Sequence, residues 1–309
     1  MPFTLSGLIK PKTLTDCVFD NSVAGRLSHL FWLYGLNARR SLKQIGRAAP
    51  DADEVDVVGE LLERGLVLTP ADSFLSESGR TTLDQAEAMI RKACEAETVR
   101  EIVEQGKNPV HGKDYLIQIV KFTDVMNADS PLVKLALDPK ILQAVAGYMG
   151  MWPMLHAVGS WVNFPTHQDA HHSQLWHRDP EDLKTLKVFI YLDPVGPDNG
   201  PFNYIPKTQP FGRDCEVEPQ HEHVRRVLDG EMDRSLPQER WVQCTGKART
   251  MIIADTVGYH RGGHVQTGQR LLITFTYTSG RPQQPRKLNV KGKPHWTPTP
   301  IQEFALVCK

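Results

Sequence analysis

The strongest constraint on the fold of this chain is a change in residue pattern near position 155. Before it, in residues 22–106 and 130–150, apolar side chains recur every three to four positions, as is typical of helices with one buried face. After it, short β-prone runs such as "KVFIYLD" (187–193) and "RLLITFTYT" (270–278) alternate with turn-forming residues. Helices followed by strands predict an α+β protein in which helices brace an antiparallel β-sandwich or barrel.

Alternation along the strands predicts which side faces the interior. One side carries large apolar residues, namely Val188, Ile190, Leu192, Leu271, Ile273, Phe275 and Tyr277. The other side is mixed and includes Lys187, Arg270 and threonines, so it would line a polar pocket. We predict one domain over residues 1–309, with a mainly helical part (1–150), a strand-rich core (151–280) and an extended closing segment (281–309). Within the helical part, Thr81 followed by Asp84 predicts a helix start.

Charge and cysteine content exclude several classes of protein. The 309 residues include 36 basic and 36 acidic side chains, so no overall field favours nucleic acid. The five cysteines are scattered and form no CxxC pair, which indicates a reducing compartment. The chain begins without the apolar core of a signal peptide, and it contains no apolar run of about twenty residues. We therefore expect a cytoplasmic protein with no nucleic-acid partner and no integral membrane contact.

The segment 26–47 leaves two interpretations open. It combines apolar residues with five basic side chains, namely Arg26, Arg39, Arg40, Lys43 and Arg47. Such a segment suits peripheral contact with an anionic membrane surface. It also suits a helix that packs on the scaffold or in a dimer, which is the interpretation we favour. The pattern leaves the oligomeric state open.

The pattern His-x-Asp occurs twice, at 167–169 and 177–179. On an extended segment, such a His and Asp can hold one metal ion from the same side. With a distant second His they form the 2-His-1-carboxylate triad, which binds one face of Fe(II) and leaves positions for a co-substrate and oxygen. His260 offers the second imidazole, and Arg270 is suited to bidentate recognition of a carboxylate.

The surroundings of the two patterns favour the second pair. His177 and Asp179 follow the β-prone run "SQLWH" and precede a turn and the run "KVFIYLD". His167 and Asp169 come just after a proline, between two predicted strands. We therefore assign His177 and Asp179 to the metal, and we interpret the first pair as loop residues at the rim of the substrate entrance.

Two histidines compete for the distal position. His260 lies ten residues before Arg270, whereas His264 lies six residues before it. The shorter distance leaves little chain for a ligand loop that leads into the next strand. We assign His260 to the metal and interpret His264 as a pocket residue or as a partner of a metal-bound imidazole.

Longer stretches around these residues resemble one family. "LWHRDPEDLKTLKVFIYLDPVGPDNGPFNYIP" (175–206), "DTVGYHRGG" (255–263) and "RLLITFTYTS" (270–279) are similar to the phytanoyl-CoA dioxygenase (PhyH) family of Fe(II)/2-oxoglutarate oxygenases. "LLERGLVLTPADSFLSESG" (61–79) resembles the usual N-terminal entry of that family. The resemblance implies a double-stranded β-helix, or jelly roll, braced by helices. Two departures are "IPKTQP" (205–210), where a Gly-Ser-His type turn is usual, and Gly262, where many members have serine.

The resemblance also implies a chemistry. His177, Asp179 and His260 would hold Fe(II), and Arg270 would anchor the far carboxylate of 2-oxoglutarate. Lys187, inward by alternation, is either a second contact to a carboxylate or a surface lysine. The implied reaction hydroxylates an unactivated C–H bond of a metabolite or natural product, with release of succinate and CO2. Desaturation and ring closure are alternative outcomes of the same site.

Other functions are weaker interpretations of the same residues. An oxygenase that acts on a lipid or glycolipid at a membrane surface depends on segment 26–47 alone. A non-catalytic metal-binding protein of this fold would be expected to lose part of the His/Asp/His/Arg set. A zinc hydrolase would have no use for Arg270, and a nucleic-acid demethylase would need a basic groove. The substrate is set by loops 164–173 and 207–245, which carry no readable signature.

Overall fold

The computed structural model describes residues 21–46, 52–106, 113–166, 168–219 and 226–306. The larger of its sheets has six antiparallel strands. In spatial order these are β1 (Leu66–Pro70), β8 (Thr250–Asp255), β5 (Leu186–Tyr191), β10 (Arg270–Thr278), β4 (Met154–Asn163) and β2 (Leu116–Val120).

A smaller antiparallel sheet closes the barrel over the inner face of the first. It consists of β7 (Val242–Cys244), β6 (Phe202–Tyr204) and β9 (His260–Gly262), and His177 extends it by pairing with His260. Elsewhere β3 (Val125–Asn127) pairs in parallel with β11 (Asn289–Lys291). The two facing sheets form a double-stranded β-helix, so the predicted fold class is confirmed.

Helices cover the outer face of the larger sheet. They are α1 (Val23–Leu30), α2 (Ala38–Ile45), α3 (Ala52–Arg64), α4 (Ala71–Phe74), α5 (Glu77–Cys94), α6 (Glu97–Gln105), α7 (Pro131–Ala136), α8 (Pro139–Met149) and α10 (Pro300–Leu306). Helix α9 (Asp229–Ser235) packs elsewhere, with its Met232 in a separate cluster with Trp176 and Val227. Leu83 of α5, Leu132 of α7 and Ile141 of α8 share one apolar core with Ile190 and Ile273 of the sheet. Burial of this apolar surface is the main favourable contribution to folding.

The predicted alternation of the strands is confirmed. Val188 and Ile190 face the helices, whereas Phe189 and Tyr191 belong to a separate cluster inside the barrel. Because successive side chains of a strand point to opposite faces, this places Lys187 on the interior side, as predicted.

The prediction of helix within residues 22–106 is wrong at Leu66–Pro70, which forms β1. This strand pairs with β8, and Leu66 lies opposite Ala254. Gly65 ends the preceding helix with φ +73°, and a Cβ at this position would lie 2.3 Å from the Tyr204 hydroxyl. The run LVLTP is short and β-prone, and pairing with a distant strand, which no local pattern reveals, decides its structure.

Two further local predictions are wrong. Helix α5 begins at Glu77 with Ser76 as its N-cap, and the Ser76 Oγ accepts a hydrogen bond from the Gly79 amide at 2.9 Å, so Thr81 lies inside the helix. The run "SQLWH" is not a regular strand, because residues 172–174 form a 3₁₀ turn and the two residues that follow Leu175 make isolated bridges. The first difference arises because Ser76, five residues before Thr81, is a favourable cap. The second arises because the chain turns at residues 172–174.

The segment at the start of the described chain both packs on the scaffold and exposes an apolar face. Trp32 and Leu33 are buried in the main core, and Arg40 donates hydrogen bonds to the carbonyls of Trp152, Pro153 and Phe304. Large apolar side chains remain exposed along it, namely Val23, Leu27, Leu30, Phe31, Tyr34, Leu42 and Ile45. Arg47 lies outside the described residues.

The closing segment is not extended throughout, because it contains β11 and α10. Within the described part of the chain, no helix combines the length and the apolar character needed to cross a bilayer.

Candidate metal centre

The three predicted metal ligands meet at one end of the barrel interior. His177 and His260 lie on adjacent chain segments, and each backbone N–H donates to the carbonyl of the other at 3.0 Å. Asp179 follows two residues after His177, and its N–H donates to the Thr256 carbonyl at 2.8 Å. Backbone pairing therefore holds all three residues in place before any side chain contributes.

The ligand atoms of His177, Asp179 and His260 lie within 4.8 Å of one another. The Nε2 atoms of His177 and His260 are 3.9 Å and 3.4 Å from the Asp179 carboxylate. Each Nδ1 lies within hydrogen-bond distance of a carbonyl, that of Leu175 for His177 at 2.8 Å and that of Gly258 for His260 at 3.0 Å. These contacts favour a proton on Nδ1, which leaves each Nε2 lone pair free to bind a metal.

Electrostatics keep the donors in the form that binds a metal. Burial and the neighbouring His260 hold the pKa of His177 well below its ordinary value, so its imidazole is neutral. Burial alone would raise the pKa of Asp179, but the charge of Lys187 holds it well below its ordinary value. Two imidazoles and one carboxylate form a donor set that suits Fe(II).

Lys187 contacts the predicted metal triad. Its Nζ donates to the Asp179 carboxylate at 2.6 Å. Its side chain is 15% exposed, so the surface interpretation is wrong. A contact of Lys187 with a co-substrate carboxylate stays a prediction.

Arg270 begins β10 and is 4% exposed. Its Nη2 donates to the Asn163 Oδ1 at 3.1 Å, while Nε and Nη1 have no hydrogen-bond partner among the described residues. A Cβ at Gly262 would lie 3.2 Å from this Nη2, so glycine in place of serine leaves room beside the guanidinium. Buried N–H donors without partners on a permanent cation are suited to a carboxylate that enters the cavity.

The triad and Arg270 line the same cavity, whose volume is ≈ 200 Å³. Aromatic and aliphatic side chains form much of its wall, namely Leu116, Phe122, Trp161, Phe189, Phe202 and Leu272. A larger groove of ≈ 760 Å³ lies between residues 36–40 and the closing segment, but its described lining contains no histidine or aspartate. The metal chemistry therefore belongs to the smaller cavity.

The other candidate residues lie away from the triad. Asp169 is exposed in the loop after β4, and His167 lies outside the described residues. His264 lies 3.0 Å from the Gln266 amide and 3.5 Å from the Thr166 hydroxyl, each through one ring nitrogen. It is not part of the metal-binding group among the described residues.

Sequence reasoning missed two arginines near the site. Arg178, the middle residue of His-x-Asp, donates to the carbonyls of Thr208, Val257 and Cys215 at 2.8–2.9 Å and so ties three loops together. Arg226 is one of the residues that line the cavity. No local pattern reveals either role, because every partner is distant in sequence.

The family model for phytanoyl-CoA dioxygenase (PhyH) matches residues 63–271, which contain the triad and Arg270. No curated protein has a sequence that matches the chain.

The fold is similar to that of the epimerase SnoN, solved in complex with Fe3+, alpha ketoglutarate and nogalamycin RO, with a TM-score of 0.52 and 14% identity over 76% of this chain and 87% of that one. EctD from S. alaskensis, solved with bound Fe, gives a TM-score of 0.49 and 19% identity over 81% of this chain and 83% of that one. At these identities the similarity to SnoN supports the fold.

Proposed function

Because this chain belongs to the phytanoyl-CoA dioxygenase (PhyH) family of Fe(II)/2-oxoglutarate oxygenases, we propose that it hydroxylates an unactivated C–H bond of a small molecule. Succinate and CO2 would be the co-products. The observation that carries the proposal is the buried Arg270, whose two unpaired N–H donors face the cavity that contains the His/Asp/His triad. A hydrolase or a metal store has no need for this cation.

The described residues fit the iron and its co-substrate. His177, Asp179 and His260 would hold Fe(II), and Arg270 would bind the carboxylate of 2-oxoglutarate that is remote from the metal. When bound, iron with 2-oxoglutarate and oxygen supplies the oxidising power for the C–H bond.

The protein itself positions the side chains of the site, supplies charge and excludes water. Lys187 holds one carboxylate oxygen of Asp179, which orients the carboxylate toward the two imidazoles. The Asn163 side-chain oxygen accepts a hydrogen bond from Arg270 and orients the guanidinium at the start of β10. Phe189, Phe202 and the other apolar wall residues exclude water, which strengthens each electrostatic contact in the cavity.

The proposal is tested by adding Fe(II) and 2-oxoglutarate without oxygen. We expect a weak visible charge-transfer band that needs both components. His177→Ala and Asp179→Ala should abolish the band and the metal-dependent formation of succinate, while the exposed-loop variant Asp169→Ala should retain both. Absence of a band in the unmodified protein, with 2-oxoglutarate affinity independent of metal, would show that the site is not an oxygenase centre.

Further features of the proposal follow from the whole chain. We infer that residues 1–309 work as one oxygenase domain, since helices α5, α7 and α8 share their core with the sheet. Cytoplasmic location is supported by the scattered cysteines, of which Cys94 and Cys244 are free in the structure.

A second candidate is an oxygenase that acts on a lipid or glycolipid at an anionic membrane surface. The supporting observation is the exposed apolar face from Val23 to Ile45, within which no acidic residue occurs and Arg26, Arg39 and Lys43 are exposed. Basic residues beside an apolar face suit binding to anionic lipid.

Co-sedimentation with vesicles of phosphatidylcholine, with and without phosphatidylserine, tests this candidate. Leu27→Ser with Phe31→Ser should abolish binding to the anionic vesicles without changing 2-oxoglutarate affinity. Failure of the unmodified protein to bind either vesicle would reject the membrane variant and leave the oxygenase proposal unaffected.

A further inference from the structure

The charges that line the metal cavity are unequal. Five cationic side chains face it, namely Lys113, Lys187, Arg226, Arg270 and Lys287, against two carboxylates, Asp179 and Glu181. Fe(II) would add two positive charges and 2-oxoglutarate two negative ones, so the loaded cavity keeps the same excess. Buried or partly buried charge of one sign attracts a ligand of the other sign.

Three of the five cations already have a carboxylate or are suited to the co-substrate. Lys187 contacts Asp179 at 2.6 Å, and Lys287 contacts Glu181 at 3.0 Å. Arg270 is suited to the remote carboxylate of 2-oxoglutarate. Lys113 and Arg226 have no carboxylate partner within 4.0 Å among the described residues.

Arg226 has the geometry of a binding residue. Its Nη1 is buried and has no hydrogen-bond partner in the described part of the chain, although its neighbour Val227 is fixed by backbone pairing with Trp176. Burial lowers the pKa of Arg226, against the opposing influence of Asp179 and the Tyr115 side chain. A guanidinium remains charged in proteins, so an unpaired buried N–H of this kind is costly unless a ligand accepts it.

Arg226 and Arg270 lie at different parts of the cavity. Arg226 precedes the Trp176–Val227 bridge, which adjoins His177 on the smaller sheet, whereas Arg270 lies in the larger sheet opposite Asn163. Lys113 lies just before β2, is exposed and lines the same cavity. Apolar side chains such as Phe122 and Trp161, which contact each other edge to face, line the same cavity.

We propose that Arg226 and Lys113 form an anion subsite for the substrate, so the substrate has an apolar body and a carboxylate or phosphate group. This inference rests on the proposed function, because it assumes that Arg270 and the metal take the co-substrate. The subsite orients the substrate, with its anionic group at the cavity opening and its apolar body toward the metal. Arg226 is the principal contact, and the flexible Lys113 adds charge.

The test uses probes of one chain length that differ in charge: hexanoate, hexyl phosphate, hexanol and hexylamine. Calorimetry measures their affinity for the anaerobic protein loaded with Fe(II) and 2-oxoglutarate, and also for the metal-free protein. We expect the two anions to bind about tenfold or more tightly than hexanol, and hexylamine to bind no better than hexanol. A comparison of the affinities of hexanoate and hexyl phosphate shows which anion the subsite prefers.

Single-residue variants test which side chains select the anionic probes. Arg226→Gln should weaken the binding of the anions about tenfold and leave the affinity for hexanol unchanged. Lys113→Gln should weaken the binding of the anions by a smaller factor. Arg234→Gln, an exposed arginine on α9, is the matched control and should change neither. Because Lys113 is exposed, its variant tests the subsite even if Arg226→Gln fails to fold.

Two results would overturn the inference. Anions that bind no better than hexanol to the unmodified protein would show that the cavity does not select negative charge. A loss of 2-oxoglutarate affinity in Arg226→Gln, with anion affinity unchanged, would assign this arginine to the co-substrate. Either result leaves the charge-transfer band of the loaded protein intact, whereas failure of the oxygenase proposal removes the band, and the metal-free titration still reports on the subsite.

Discussion

Replacement of Arg270 separates a 2-oxoglutarate enzyme from any other use of the same triad. The guanidinium is 4% exposed and offers two unpaired donors, Nε and Nη1, to the cavity. A charge-assisted contact from either donor to a carboxylate in this setting contributes about 1.5–3 kcal/mol. At about 1.4 kcal/mol per factor of ten, Arg270→Ala should weaken 2-oxoglutarate binding by about ten- to a hundredfold.

The conservative variant refines the expectation. Lysine cannot reproduce the planar fork, so Arg270→Lys should recover only part of the lost affinity. Metal affinity should change little in both variants, because the arginine contacts Asn163 and not the triad. Arg249→Lys is a matched control, since Arg249 pairs with Asp72, Asp84 and Glu87 on the outside of the protein.

The assay is an anaerobic titration of 2-oxoglutarate at saturating Fe(II), followed through the visible band or by calorimetry. Thermal unfolding of each variant checks that the barrel is intact, because loss of Arg270 also leaves the Asn163 carbonyl without its donor. An unchanged dissociation constant in a folded Arg270→Ala protein would refute the reasoning. The carboxylate contact would then have to be sought at Arg226.

Three further predictions concern residues around the site. Lys187→Met should weaken metal binding by about ten- to a hundredfold in an iron titration, because Asp179 loses the partner that orients it; unchanged iron affinity would make the ion pair incidental. Arg178→Met should lower the free energy of unfolding by about 3 kcal/mol in urea, since three carbonyls lose charge-assisted donors; an unaltered urea midpoint would contradict this. Burial lowers the pKa of His156 to about 4, so the unfolded chain takes up its proton first and stability falls as pH drops from 6.5 toward 4. Between pH 7 and pH 5 His156 should contribute about 2 kcal/mol to the loss in metal-free protein, so the loss should be about 2 kcal/mol smaller in His156→Leu, whereas parallel pH profiles of the two proteins would rule out this contribution.

The extent of sequence-based prediction differed between levels of structure. Alternation in 187–193 correctly separated the helix-facing residues from the barrel interior, because a strand places successive side chains on opposite faces. The same local reasoning failed at Leu66–Pro70, where pairing with β8 decides the conformation. It also failed at Thr81, because Ser76, five residues earlier, serves as the cap of the helix.

The sequence by itself determined the fold class and the short list of candidate metal-binding residues, since periodicity and the pattern His-x-Asp are local properties of the chain. Only the tertiary structure decided the partners. Lys187 contacts Asp179, Arg270 keeps Nε and Nη1 without partners among the described residues, and Arg226 lines the same cavity although it is distant in sequence. These relations depend on which strands pair and on which charges burial brings together, and no spacing along the chain specifies either.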